Sequence, residues 1–173
     1  MKLFRVVILS IVVVSCASIR VDYDYDSKSN FNTYKTYNYY SDLNTGLSEL
    51  DTKRFLNALD SILQSKGLSL SERPNFYIDI SSEVYQNASH NSVGVGVGGS
   101  GRNVGGGISI GLPIGQAKNN RQIRIDFIDE TSNKLFWQAI SESAFRPNAA
   151  PEKREAKLKA IAAKVLSQYP PKE

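Results

Sequence analysis

Apolar and polar residues alternate with a period of two at the start of the folded region. Ile19, Val21, Tyr23 and Tyr25 alternate with Arg20, Asp22, Asp24 and Asp26, the signature of a half-buried strand. A polar stretch over residues 27–32 turns the chain, and Tyr34 to Tyr40, rich in tyrosine and threonine, predicts a second strand. The period then becomes helical. Phe55, Leu59, Ile62 and Leu63 share one face of a helix that either Ser48 or Asp51 caps and Gly67 stops, with Lys53, Asn57, Asp60 and Gln64 facing outward. Behind Pro74 the alternation returns in its clearest form, with Phe76, Ile78, Ile80, Ser82 and Val84 on one side. Ile123, Ile125 and Phe127 repeat it, and the polar run 129–134 leads into an apolar run opening at Leu135, which predicts a hairpin. Pro147 and Pro151 are read as ending the sheet. A closing helix is expected from about Glu152 to Tyr169, with Leu158, Ile161, Ala162, Val165 and Leu166 on its stripe. Two helices with one stripe each, beside four or more alternating strands, predict an α+β fold. It is a largely antiparallel sheet with two amphipathic helices packed on one face, plus a glycine-rich hairpin excursion.

That excursion occupies residues 93–115, which hold ten of the twelve glycines. Val93, Val95 and Val97, then Ile108, Ile110 and Leu112, alternate with small residues, predicting two strands apolar on one face and nearly bare on the other. No acidic residue falls between Val84 and Ile125. Three readings fit: an excursion of the sheet, a partner-binding hairpin whose surface those six residues form, and a membrane-inserting hairpin. Gly96, Gly98 and Gly101 satisfy G-x-G-x-x-G, but no helix former follows, so a dinucleotide site is not expected.

The first fifteen residues change the picture. Lys2 and Arg5 precede an uncharged apolar run from Val6 to Val14, too short to span a bilayer comfortably, and this reads as a signal peptide over residues 1–15. The run ends in Val13-Val14-Ser15-Cys16, which resembles the bacterial lipobox, with cleavage expected between Ser15 and Cys16. A thiolate is the best nucleophile to accept a diacylglycerol group as a thioether, and the small Ser15 lets the peptidase reach the bond before it. Cys16 is the chain's single cysteine, so an internal disulfide is impossible. The expected product carries diacylglycerol and an N-acyl chain such as palmitate on Cys16. Residues 16–20 then form a tether, and one α+β domain over 21–171 follows. Ala17 and Ser18, with no Asp behind the cysteine, resemble outer-membrane sorting, facing the periplasm or the cell surface.

Bulk composition narrows the chemistry. The 173 residues are 41% apolar and 22% charged, inside the globular range and about right for one domain. Lys2 and Arg5 carry two of the four net positive charges, so the chain without its leader is close to neutral. The basic run at Lys153-Arg154, Lys157 and Lys159 is interleaved with Glu152 and Glu155 and reads as a solvated helix face, so no nucleic-acid partner is expected. One histidine, His90, and one thiol consumed by lipid leave no zinc ligand set, no serine triad and no expected metal or cofactor. Asp79, Glu83 and Asp126 are the carboxylates on which a rival reading, a hydrolase of envelope polymers, would rest.

Taken in order, several features make the chain resemble the bacterial lipoprotein family catalogued as domain of unknown function 4136, over about residues 21–171. These are Val21-Asp22-Tyr23-Asp24, Phe31 with Tyr34-Lys35-Thr36-Tyr37, and Lys66-Gly67-Leu68. The glycine-rich middle follows, then Asp126-Phe127-Ile128-Asp129 with Trp137, and the closing Tyr169-Pro170-Pro171. The chain departs from the family pattern at Pro74-Asn75-Phe76 and at Arg121-Gln122, and neither departure is expected to matter. The resemblance implies an envelope lipoprotein with no assigned reaction. The expectation is non-enzymatic binding or scaffolding of an envelope protein at the membrane, with an oligomeric assembly through the hairpin as another alternative and the oligomeric state left open.

Overall fold

Strand β1 (Arg20–Tyr25) opens the fold as an edge strand, paired antiparallel along its whole length with β8 (Leu135–Ala144). The computed structural model describes residues 18–87, 92–95, 110–113 and 118–171. A short 3-10 turn at Phe31–Thr33 leads to β2 (Thr36–Tyr39), helix α1 (Glu49–Ser65), β3 (Ser69–Leu70) and the long β4 (Phe76–Asn87). After β5 (Ser92–Val95) and β6 (Ile110–Pro113), β7 (Lys118–Asp129), β8 and helix α2 (Pro151–Leu166) complete the chain. The six-stranded sheet runs β1-β8-β7-β4-β2-β3 and is open at both edges. Its pairings are antiparallel from β1 to β4 and parallel from β4 through β2 to β3. The parallel step has a cause in the sequence, because the α1 crossover separates β2 from β4 and returns the chain in the same direction. The expected α+β class and largely antiparallel sheet hold.

Alternation decides which side is buried. Phe76, Ile78 and Ile80 of β4 and Ile123, Ile125 and Phe127 of β7 face the two helices and are shut off from solvent. Phe55, Leu59 and Leu63 of α1 and Leu158, Ile161 and Val165 of α2 close over them. The register shifts between Phe127 and Ile128, where Phe127 faces Trp137 and Ile128 faces Leu135. Phe136 is the extra residue of this bulge, which is how two consecutive aromatics, Phe136 and Trp137, both bury on the core side.

Helix α1 ends as its residues dictate. Ser48 is the N-cap, its Oγ accepting the Asp51 amide at 3.4 Å. At the other end Gly67 takes φ +85°, with Gly67 N–H on the Gln64 carbonyl and Leu68 N–H on that of Leu63, a Schellman cap. Gly46, at φ +66°, leaves room for nothing larger, since a Cβ there would lie 2.5 Å from the Ser82 carbonyl oxygen. Pro151 opens α2 at its first turn, where its missing N–H costs nothing, and so starts the helix where the sequence reading had it ending the sheet.

Tyrosine hydroxyls tie β2 to its neighbours. Tyr37 and Tyr39 both donate to Oδ1 of Asp60, at 2.8 and 2.7 Å, so this half-buried α1 residue anchors β2 and is not the ordinary outward residue expected. Tyr34 donates to Oδ2 of Asp129 at 3.0 Å. Burial first, then Asp60, holds the Tyr37 and Tyr39 phenols above the ordinary tyrosine range, and burial with Asp129 pushes Tyr34 up to about 12. A phenol whose folded pKa is raised stabilises the fold fully below its unfolded value, and that contribution is lost as pH rises through the folded value. The urea midpoint is therefore expected to stay flat to about pH 9 and to fall progressively above about pH 10. Tyr34→Phe should remove part of that decline. A midpoint as high at about pH 11.5 as at neutrality would show that these hydroxyls are not held as described.

Candidate functional site

At the end of the sheet where the helices begin, the core face stops being apolar. Arg121 of β7 continues the inward row of Ile123, Ile125 and Phe127, and Ser143 of β8 continues that of Trp137, Ala139 and Ser141. Together with the first turns of α2 they border a cleft of about 270 Å³. Among the described residues, five cationic side chains line it, Arg121, Arg146, Lys153, Arg154 and Lys157, against one carboxylate, Asp51 of α1. Phe145, Leu158 and Ile161 give it an apolar floor.

Asp51 is saturated. It is 1% exposed, and Arg54 Nη1 donates to its Oδ1 at 2.9 Å. Its Oδ2 accepts from Arg154 Nε at 3.1 Å and from Arg154 Nη2. Arg121 is held differently, with its guanidinium carbon 3.7 Å from the centroid of the Phe145 ring, a cation–π contact. Its Nε is buried and has no hydrogen-bond partner among the described residues. Burial pulls the Arg121 pKa down; the charge of Asp51 opposes that and the charge of Arg154 adds to it. The basic run read as one solvated face is thus divided. Arg154 is committed to Asp51 and Lys153 and Lys157 line the cleft, while Lys159 makes an exposed pair with Glu155 at 2.7 Å.

Among the described residues no helix covers the other face of the sheet. Tyr77 and Tyr40 stack there with ring centroids 4.8 Å apart. Asp79 of β4 stands opposite Asp126 of β7, and Gln138 Nε2 donates to Asp126 Oδ1 at 2.7 Å. Burial raises the Asp126 pKa. These two carboxylates of the hydrolase reading are neighbours, and Glu83 lies farther along β4 opposite Gln122. Among the described residues no three His, Cys, Asp or Glu side chains converge to hold a metal ion.

Cys16 and Ser15 lie outside the described residues, as do Val97 and Ile108. Val93 and Val95 fall on β5, and Ile110 and Leu112 on β6. These strands form a separate antiparallel pair with Val93 opposite Leu112, Gly94 opposite Gly111 and Val95 opposite Ile110. The rest of the hairpin expected over 93–115 lies outside the described residues. The cationic cleft itself was missed. Its one sequence signal was Arg121, a cation on the inward parity of an otherwise apolar alternation, in a dipeptide treated as a departure without consequence.

Known proteins extend the picture at the level of fold. A PDZ domain protein from Parabacteroides distasonis is similar at TM-score 0.60 and 14% identity over 90% of this chain, which spans only 37% of that one. PelC from Paraburkholderia phytofirmans, solved as a dodecamer, is similar at TM-score 0.50 and 10% identity over 87% of this chain and 96% of the PelC chain. Identities this low show a shared fold alone. No curated protein matches the chain. The model of the family described as "Domain of unknown function (DUF4136)" matches residues 21–171, as the resemblance implied, and the chain belongs to that family.

Proposed function

We propose that the chain is a lipid-anchored envelope protein, held at a bilayer through Cys16, that binds or scaffolds a partner and catalyses no reaction. The observation that carries this reading is the run Val13-Val14-Ser15-Cys16 closing an apolar leader, with the first strand starting at Arg20 close behind it. Two or three acyl chains on one sulfur and one amine would hold the protein firmly, where a single chain anchors only reversibly. Among the described residues no helix is long and apolar enough to cross a membrane, so the lipid would be the body's hold on the bilayer. Binding is favoured over hydrolysis because, among the described residues, no third His, Cys, Asp or Glu side chain converges on Asp79 and Asp126.

Intact mass spectrometry of protein from its native host is expected to show an amino-terminal Cys16 with diacylglycerol and N-acyl mass added and residues 1–15 gone. Cys16→Ala should take up no labelled fatty acid. A free thiol or a retained leader in the wild type would refute the anchor. Crosslinking in living cells is expected to capture an envelope protein on the anchored wild type, and loss of turnover on cell-wall glycans in Asp126→Asn would instead establish the hydrolase. A second reading is assembly of several copies, favoured by the exposed edge of β1 and by likeness to a protein that forms a dodecamer. Light scattering of the same detergent preparation gives its subunit number.

A further inference from the structure

The cleft at the amino end of α2 is electrostatically unfinished. Cations are normally placed near helix carboxyl ends, where the dipole favours them, yet Lys153 and Arg154 follow Glu152 directly at the amino end of this 16-residue helix. Ala150, its N-cap, makes no side-chain cap hydrogen bond. Asp51 answers part of the positive charge, and both its oxygens are already taken by Arg54 and Arg154. Arg121 borders the same cleft with a buried Nε that has no acceptor among the described residues and a guanidinium resting on Phe145. A buried donor without a partner is costly, and at the border of a cationic cleft an acceptor drawing Arg121 into the cleft would offset that cost.

We propose that this cleft binds a phosphate-class oxyanion, carried by a small phosphorylated molecule or by a phospholipid headgroup. The proposal is independent of the anchor on Cys16. A phosphate fits where a further carboxylate does not. Its several oxygens accept from a guanidinium, an ammonium and helix amide groups together, and its charge complements Arg121 and Lys153. The volume of about 270 Å³ lies just under the roughly 300–1,000 Å³ of drug-sized pockets, which suits one compact group on the apolar floor of Leu158 and Ile161. Arg121 would give the directed contact and Lys153 a point charge at the mouth.

The test is calorimetric titration of the full-length protein, in neutral detergent at low salt, with inorganic phosphate, acetate and short-chain phosphatidylglycerol, and with short-chain phosphatidylcholine as the neutral-headgroup control. Phosphate or phosphatidylglycerol is expected to bind, with acetate at least about tenfold weaker. Arg121→Gln and Lys153→Gln should each weaken binding by about tenfold or more, while Lys134→Gln in the distant β7–β8 turn should not. Circular dichroism checks that each variant is folded, and Lys153→Gln keeps the test alive should Arg121→Gln unfold the end of the sheet. Tighter binding of phosphatidylglycerol than of phosphate assigns the group to a lipid; binding of phosphate alone assigns it to a soluble ligand. No binding of either, equal binding of acetate, or full affinity retained in both Gln variants would overturn the proposal.

Discussion

Phe76→Ala is expected to lower the unfolding free energy by about 3–5 kcal/mol, the range for truncating a buried aromatic. Phe76 is fully buried and is the hub of the ring cluster. Its centroid lies 4.9 Å from that of Phe127, 5.5 Å from Phe136, 5.7 Å from Tyr34 and 6.1 Å from Tyr37. It therefore joins β2, β7 and β8 across three strand pairings, and alanine would open a cavity that none of these stiff rings can collapse into. Domains of this kind are stable by about 5–15 kcal/mol, so the variant would be close to its threshold. Its neighbour on the opposite face supplies the control. Tyr77 meets Tyr40 in an open stack, and Tyr77→Ala should cost only about 0.5–1.5 kcal/mol. Urea denaturation of both variants, with the slope checked for constancy, measures the difference. A larger loss in Tyr77→Ala than in Phe76→Ala would mean that β4 is out of register by one residue, because a slip of one exchanges the two faces.

The features legible in the sequence were those with a period. Strand alternation placed β1, β4, β7 and β8 and the buried sides of β4 and β7, while Tyr23 and Tyr25 on the expected inward side of the edge strand β1 are exposed; the helical stripe placed both helices, and Gly67 marked the end of α1. What escaped was pairing between residues far apart in the chain. Nothing in Thr36–Tyr39 announces that β2 lies parallel to β4, since that follows from the α1 crossover and not from local pattern. The bulge at Phe136 breaks the alternation of Leu135-Phe136-Trp137 without a marker such as glycine. Polar residues were the hardest to place, because one side chain type serves in water or in a buried pair. Asp60 looked like an outward residue until two tyrosines from β2 converged on it. The cationic cleft assembles residues from α1, β7, β8 and α2, and a parity argument at Arg121 was the one route to it. Cys16 shows the opposite case, where short-range chemistry is fully written in consecutive residues and needs no fold to be read.

Asp51→Ala is the variant expected to cost most after Phe76→Ala, about 3–5 kcal/mol, because it strands two partly buried guanidinium groups without the buried carboxylate they share. The sequence offered Asp51 as an alternative N-cap to Ser48, and the structure gives the cap to Ser48 and turns Asp51 inward. There it accepts from Arg54 on its own helix and from Arg154, 103 residues away, so it fastens α1 to the amino end of α2. An exposed ion pair would be worth only about 0–1 kcal/mol, and burial separates the two cases. The attraction between the partners is offset by the cost of drying them, so the pair adds little net stability, whereas breaking it leaves that cost uncompensated. A double variant makes the distinction measurable. Asp51→Ala with Arg154→Met removes one stranded charge and supplies apolar volume, and it should be more stable than Asp51→Ala alone by about 1–3 kcal/mol. The loss in Asp51→Ala should also persist at about 1 M salt, where an exposed pair would be screened. A loss below about 1 kcal/mol, or one abolished by salt, would place Asp51 among the surface pairs and release Arg154 from its anchoring role.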